Sequence, residues 1–146
     1  MSGGRQTAVL AVGALASIGL LAGCGGDSGG AAATPTAEGV GTVTTGADGV
    51  QEITLQTQDD YAFTPSTFTV EPGEVRLTVV NAAEQMTHNF EFAADEGPEP
   101  IAEKIPVLAP GEKKTIEFTV TQPGDHPFEC TFHIQLGQVG TMTVRG

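Results

Sequence analysis

Residues 67–80, TFTVEPGEVRLTVV, decide the fold class of this sequence. Apolar and polar residues alternate along 67–71 and again along 75–79, with Pro72-Gly73 between the two runs. An alternation of period two places the apolar side chains on one face of a β-strand, and a Pro-Gly pair favours a turn. The stretch therefore predicts two strands that each bury one face.

The same alternation recurs on both sides of this stretch. Further alternating segments are Ile53–Thr57, Phe90–Phe92, Ile116–Val120, Phe128–Cys130 and Val139–Val144. Two more Pro-Gly pairs lie at residues 110–111 and 123–124, and helical periodicity is hard to find. Short alternating segments between such turns are typical of antiparallel sandwiches and barrels. We therefore expect an all-β domain over residues 50–146, a β-sandwich or barrel of about seven or eight strands.

The first 23 residues have the features of an export signal. Arg5 is the only positive charge before an apolar run of 15 residues, 8–22, which is shorter than the ~18–20 residues that span a bilayer. The run ends in Leu21-Ala22-Gly23-Cys24, which resembles the bacterial lipobox. This resemblance implies that residues 1–23 are removed and that Cys24 is lipidated. The alternative is a plain signal peptide with a chance cysteine.

Residues 24–49 are rich in Gly, Ala and Thr and hold no large apolar side chain beyond two Val. Such a segment cannot bury enough surface to offset the entropy lost on ordering. We expect a flexible linker that holds the following domain off a membrane.

The charge of the chain excludes several classes of function. Six Lys and Arg stand against 18 Asp and Glu, which gives a formal net charge of -12. Nucleic acid and anionic lipid surfaces attract basic proteins, so neither is an expected partner by charge. The few Ser residues lie far from any His in sequence, and neither a phosphate loop nor a paired-His metalloprotease motif occurs. We therefore do not expect an enzyme.

Two segments that are distant in sequence carry metal-binding chemistry. His88 stands 42 residues before Cys130, and His133 follows Cys130 at a Cys-x-x-His spacing. One thiolate and two imidazoles match a mononuclear copper site with two His and one Cys in a trigonal plane. The spacing fits a strand that ends at the Cys and a loop that returns the His to the same ion.

The sequence around these residues resembles the cupredoxins, the plastocyanin, pseudoazurin and amicyanin group of blue copper proteins. The resemblance covers about residues 51–146. It rests on Asn81 ahead of His88-Asn89, on Pro123-Gly124-x-His126-x-Phe128-x-Cys130, and on Gly140-Thr141-Met142-Thr143-Val144.

This resemblance implies a Greek-key β-sandwich that binds one type 1 copper per chain. It implies that His88, Cys130 and His133 are the equatorial ligands. It also implies that Asn89 and Thr131 join the two ligand loops by a hydrogen bond.

The axial ligand is where the sequence departs from the family. The usual Met lies five residues after the loop His, and Gln138 occupies that position. Met142 lies nine residues after His133, on the alternation expected of a core residue. We therefore predict Gln138 as the axial ligand, as in the stellacyanin subgroup. The alternative is that Gln138 lines the rim and the axial position is empty.

Other polar residues near the motifs have less specific interpretations. His126 lies four residues before Cys130, ~13 Å along a strand, so we expect a core role with its ring bonded to the backbone. Met86 is expected to pack, and Glu129 to lie on a solvated face. The acidic residues within 95–103 form either a solvated surface or a dock for a basic partner.

The sequence thus predicts a membrane-tethered blue copper protein that carries one electron at a time as Cu(I)/Cu(II). We expect a monomer, lipid-anchored on the extracytoplasmic face of a bacterial membrane, with redox protein partners such as a basic cytochrome or an oxidase. One alternative is a copper chaperone or storage protein, and another is a metal-free interaction module of the same fold.

Overall fold

The computed structural model describes residues 36–146. Within them, ten strands form two sheets that pack as a β-sandwich, and one short 3₁₀ helix lies between the last two strands. The predicted signal peptide and Cys24 lie outside these residues. Along 36–146, no helix is long and apolar enough to cross a membrane.

The first sheet has the order β1-β2-β5-β8, and β3 also pairs with β2. Its strands are β1 (Thr44–Thr45), β2 (Gln51–Thr57), β3 (Phe63–Thr64), β5 (Gly73–Asn81) and β8 (Lys113–Val120). Strands β2 and β5 are parallel, and the other pairs are antiparallel.

The second sheet has the order β4-β10-β9-β6-β7. Its strands are β4 (Thr67–Val70), β6 (His88–Phe92), β7 (Ile105–Leu108), β9 (Gly124–Glu129) and β10 (Val139–Val144). Strands β4 and β10 are parallel. The all-β sandwich is confirmed. Its two parallel pairs were not predicted, because alternation reveals which face is buried and not the direction of the neighbouring strand.

The stretch quoted first, residues 67–80, forms β4 and β5 but not a hairpin. Strand β4 lies in one sheet and β5 in the other, so the Pro72 turn carries the chain across the sandwich. The amide of Gln51 stabilises this crossing, because it accepts from the backbone N–H of Glu71 at 2.7 Å and donates to its carbonyl at 2.8 Å.

An aromatic cluster fills the core and fixes the direction of strand β9. The ring of Phe128 lies 5.1 Å from that of Phe90, 5.2 Å from that of Phe63 and 5.8 Å from that of Phe68. Because side chains alternate along a strand, burial of Phe128 places Cys130 on the same inner face. The core therefore aims the cysteine inward without help from a metal.

Part of the segment expected to be a flexible linker joins the sandwich. Val40 forms a bridge with Thr54, and strand β1 pairs with β2. The backbone N–H of Ala37 donates to Gln56 at 2.6 Å. Backbone pairing with an existing strand needs no large apolar side chain, so composition gives no sign of these contacts. Strands β1 and β3, of two residues each, also raise the strand number above the expected seven or eight.

We predict that Gly140→Ala destabilises the domain. A Cβ at Gly140 would overlap the ring of Phe128 and press on the Ser66 carbonyl oxygen. Overpacking of this kind costs about 1–3 kcal/mol in free energy of unfolding. Val139→Ala is the control, since that neighbouring side chain is 48% exposed. Denaturant unfolding of both variants checks this, and equal stability would contradict the packing described here.

Candidate metal centre

The structure brings the three predicted equatorial ligands together. His88 begins β6, Cys130 directly follows β9, and His133 lies in the next loop. One donor atom from each lies within 4.8 Å of the other two. His88 and Cys130 are fully buried, whereas His133 is half-buried.

The loop after β9 returns a fourth donor to the same place. The N–H of His133 donates to the Cys130 carbonyl, and the N–H of Cys130 donates to the Gln138 carbonyl, both at 3.0 Å. Between them runs the 3₁₀ helix Ile134–Leu136, which ends at Gly137 with φ +86°. Glycine suits this left-handed conformation because it has no Cβ. The loop therefore closes with Gln138 beside Cys130.

The side chain of Gln138 lies at the meeting point of both imidazoles. Its Oε1 is 2.9 Å from Nδ1 of His88 and 3.0 Å from Nδ1 of His133. Its Nε2 donates to the carbonyl of Ala62 at 3.3 Å, and the side chain is fully buried. Met142, by contrast, belongs to the hydrophobic core, as its alternation predicted.

The protonation of His88 shows that this cluster fits a cation. Its Nε2 lies 2.9 Å from the Gln58 carbonyl oxygen, which can only accept, so Nε2 carries the proton of the neutral ring. Burial lowers the pKa of His88, which favours that neutral ring. The bare Nδ1 then faces another acceptor, Oε1 of Gln138, at 2.9 Å. Two converging lone pairs beside a thiol sulfur suit a soft metal ion between them.

Asn89 and Thr131 join the two ligand segments, as the resemblance implied. The Thr131 N–H donates to Asn89 Oδ1, and Asn89 Nδ2 donates to Thr131 Oγ1, both at 2.7 Å. The backbone N–H of Asn89 also donates to Cys130 Sγ at 3.4 Å. This bond ties the Cys130 side chain to the segment that carries His88.

His126 takes no part in the donor cluster. It is buried in the core, and its Nε2 lies 3.1 Å from the Gln122 carbonyl oxygen, as expected for a ring bonded to the backbone. Among the described residues, its Nδ1 has no hydrogen-bond partner. Met86 is half-buried, and its backbone carbonyl accepts from Nδ2 of Asn81.

Glu129 is less solvated than the sequence suggested. It lies opposite Glu91 in the β6–β9 ladder, and its side chain is half-buried. Burial raises the pKa of Glu129, and the carboxylates of Glu91 and Glu96 raise it further. Glu129 therefore lies on a partly solvated face, beside the carboxylate of Glu91.

Sequence reasoning missed the connection between β2 and β3, residues 58–62, which we call the brace loop. Gln58 and Ala62 act through their carbonyls, as described above. The Tyr61 ring meets the His133 ring edge to face at 5.2 Å between centroids. Backbone carbonyls leave no residue-type signal, so only the three-dimensional fold reveals these contacts.

Comparison with known families identifies the fold and its metal. Residues 50–145 match the family model of copper binding proteins of the plastocyanin/azurin family. The chain belongs to this family. With the His88–Cys130–His133 cluster, the match supports one copper per chain, so the predicted cofactor is confirmed.

Comparisons with individual proteins support the same family assignment. The chain is 39% identical over 100 residues to a chloroplastic plastocyanin minor isoform of Arabidopsis thaliana, covering 64% of this chain and 57% of that protein. It is 38% identical over 101 residues to plastocyanin of Sambucus nigra, covering 64% of this chain and 98% of that one. Dithionite-reduced auracyanin of Roseiflexus castenholzii superposes with a TM-score of 0.58 at 26% identity, covering 65% of this chain and 97% of that chain.

We predict that Cys130→Ser abolishes the visible absorption of the copper-loaded protein. That band needs sulfur-to-Cu(II) charge transfer, and a serine oxygen is a harder, less covalent donor. His126→Ala is the matched control, because this buried residue lies outside the cluster and should lower stability while leaving the colour. Absorption spectra with added Cu(II) check both variants. Colour that survives in Cys130→Ser, or disappears in a folded His126→Ala, would show that the ligands are different.

Proposed function

We propose that this protein is a membrane-tethered one-electron carrier whose copper ligands are His88, Cys130, His133 and an axial Gln138. When bound, copper supplies the change between Cu(I) and Cu(II). The observation that carries the proposal is the convergence of Gln138 Oε1 on Nδ1 of both histidines, within 3.0 Å.

The protein's part is to hold these donors so that they move little between oxidation states. Core packing aims Cys130, the Asn89–Thr131 pair joins the two ligand segments, and the Gln58 carbonyl fixes the ring of His88. A donor set held by the fold itself supports a carrier, because electron transfer slows when ligands must rearrange. A complete set of protein ligands also leaves no position for a substrate, which supports a non-enzymatic role.

His133 offers the route by which electrons enter and leave. It is the only one of the four proposed ligands that is not fully buried. Its neighbours in the loop are apolar and exposed: Phe132 at 50%, Ile134 at 37% and Leu136 at 58%. An apolar surface around the exposed ligand can pack against a redox partner and bring the two centres close. The acidic charge of the chain favours a basic partner.

The function is tested by voltammetry on wild type beside Gln138→Met, with the electron self-exchange rate of each. Wild type should give a reversible one-electron couple with fast self-exchange. An amide oxygen is a harder donor than a thioether and favours Cu(II), so the variant's potential should be higher. We expect a rise on the order of 100 mV, where 59 mV is a tenfold change in a one-electron equilibrium.

Two results would contradict these assignments. Equal potentials in wild type and a blue Gln138→Met would show that Gln138 is not an axial ligand. Slow self-exchange, with ready release of Cu(I) to a chelator, would favour a copper chaperone or storage protein instead.

We further propose that Cys24 carries the lipid that tethers the domain. The proposal rests on Leu21-Ala22-Gly23-Cys24 and on the Gly-rich segment that follows. Two or three acyl chains, at about 0.8 kcal/mol per buried CH₂, give stable membrane attachment where one chain does not.

We predict that Cys24→Ser blocks lipidation and prevents maturation to the membrane-bound form. Cys130→Ser is the matched control, since it removes the only other cysteine and should still be lipidated. Metabolic labelling with palmitate and membrane fractionation of both variants provide the readout. An unlipidated soluble wild type, with its N-terminus beyond Cys24, would contradict the anchor.

A further inference from the structure

Asp59, in the brace loop, accepts three backbone hydrogen bonds from one short segment. Its Oδ2 accepts from Glu84 at 2.7 Å, and its Oδ1 accepts from Met86 at 2.9 Å and from Gln85 at 3.3 Å. These bonds, led by that from Glu84, lower the pKa of Asp59. The carboxylate is therefore ionised at neutral pH, and charge-assisted bonds of this kind are stronger than neutral ones.

Residues 84–86 are the approach to His88, with only Thr87 between them. The same segment is tied by a second side chain, that of Asn81 in β5. Its Nδ2 donates to the Met86 carbonyl at 2.8 Å, and its Oδ1 accepts from Ala83 at 3.0 Å. The approach to His88 is thus held by two side chains from different elements. Asn81 is fully buried, whereas Asp59 acts from the exposed side.

We call the three hydrogen bonds from residues 84–86 to Asp59 the clamp. The brace loop connects this clamp to the proposed copper ligands. Residue 58, next to Asp59 in the chain, places its carbonyl against Nε2 of His88. A movement of Asp59 would therefore disturb His88 in two ways, through its approach segment and through its ring partner. Polar groups that orient a metal ligand in this way tune the site even though they never touch the metal.

We propose that Asp59 is a positioning residue of the copper centre, which holds residues 84–86 to the brace loop and so limits the movement of His88 between oxidation states. The proposal rests on the proposed function. It assigns a role to three hydrogen bonds that the ligand set alone does not explain.

The test uses Asp59→Asn in the full-length protein. Asparagine keeps one oxygen and places an NH₂ group against the Glu84 N–H, so the clamp is weakened. Glu84→Gln is the matched control, because it removes the same charge from an exposed side chain in the same segment and leaves its backbone N–H in place. Asp59→Glu keeps the carboxylate on a longer side chain and should recover part of the loss.

Two measurements read out the clamp and its consequence. In the copper-free protein, hydrogen exchange at the amides of residues 84–86 should be faster in Asp59→Asn and unchanged in Glu84→Gln. In the copper-loaded protein, the self-exchange rate of Asp59→Asn should fall about tenfold, while that of the control stays at the wild-type value.

Three outcomes would overturn the proposal. Faster amide exchange with an unchanged self-exchange rate would mean that Asp59 only stabilises the segment. An equal fall in Asp59→Asn and Glu84→Gln would assign the effect to charge. A wild type without a reversible copper couple would overturn the proposed function together with this one, whereas the first two outcomes overturn the role of Asp59 alone.

Discussion

The centre depends on the two hydrogen bonds between Asn89 and Thr131, because they continue the pairing of β6 with β9 beyond its last backbone pair. The ladder runs from Phe92–Phe128 to Glu91–Glu129, and the same register would place residue 89 opposite residue 131. At that position the side-chain amide of Asn89 replaces the backbone as the partner of Thr131. It joins the two segments through two hydrogen bonds of 2.7 Å each. The two strands therefore stay joined where their backbone pairing ends, and His88 and Cys130 can both point to the metal site.

Metal binding relieves a conflict that the fold creates. Buried acceptors normally have donors, and a bare imidazole nitrogen that faces an amide oxygen in the interior carries a desolvation cost without a bond. Two contacts from outside the donor set impose this arrangement: the Gln58 carbonyl holds Nε2 of His88, and the Ala62 carbonyl accepts from Nε2 of Gln138. The free energy of metal binding offsets this desolvation cost, so Nδ1 of His88 and Oε1 of Gln138 affect both the stability of the fold and its function.

Much of the fold and of the donor cluster could be predicted from the sequence, and the features that could not be predicted have physical reasons. Alternation revealed the buried faces, and side-chain chemistry with the family resemblance placed His88, Cys130, His133 and Gln138 in one site. Strand direction was missed, because parallel and antiparallel partners bury the same alternating face. The pairing of Val40 and β1 was missed, because backbone hydrogen bonds are independent of composition. The clamp at Asp59 was missed as well, because an exposed aspartate in a loop is common and its partners are backbone amides.

At the proposed axial position, the amide of Gln138 can make a contact that the usual thioether cannot. A methionine sulfur has no donor, whereas Gln138 has a second end, whose Nε2 donates to the Ala62 carbonyl at 3.3 Å. Gln138 therefore links the start of β10 to the brace loop while its oxygen faces both histidines. The brace loop also holds His88 through the carbonyl of residue 58. The brace loop is therefore hydrogen-bonded to two of the four proposed ligands, His88 and Gln138. A movement of either ligand is opposed by the loop's bond to the other. A thioether at this position has no donor and could not form its half of this link.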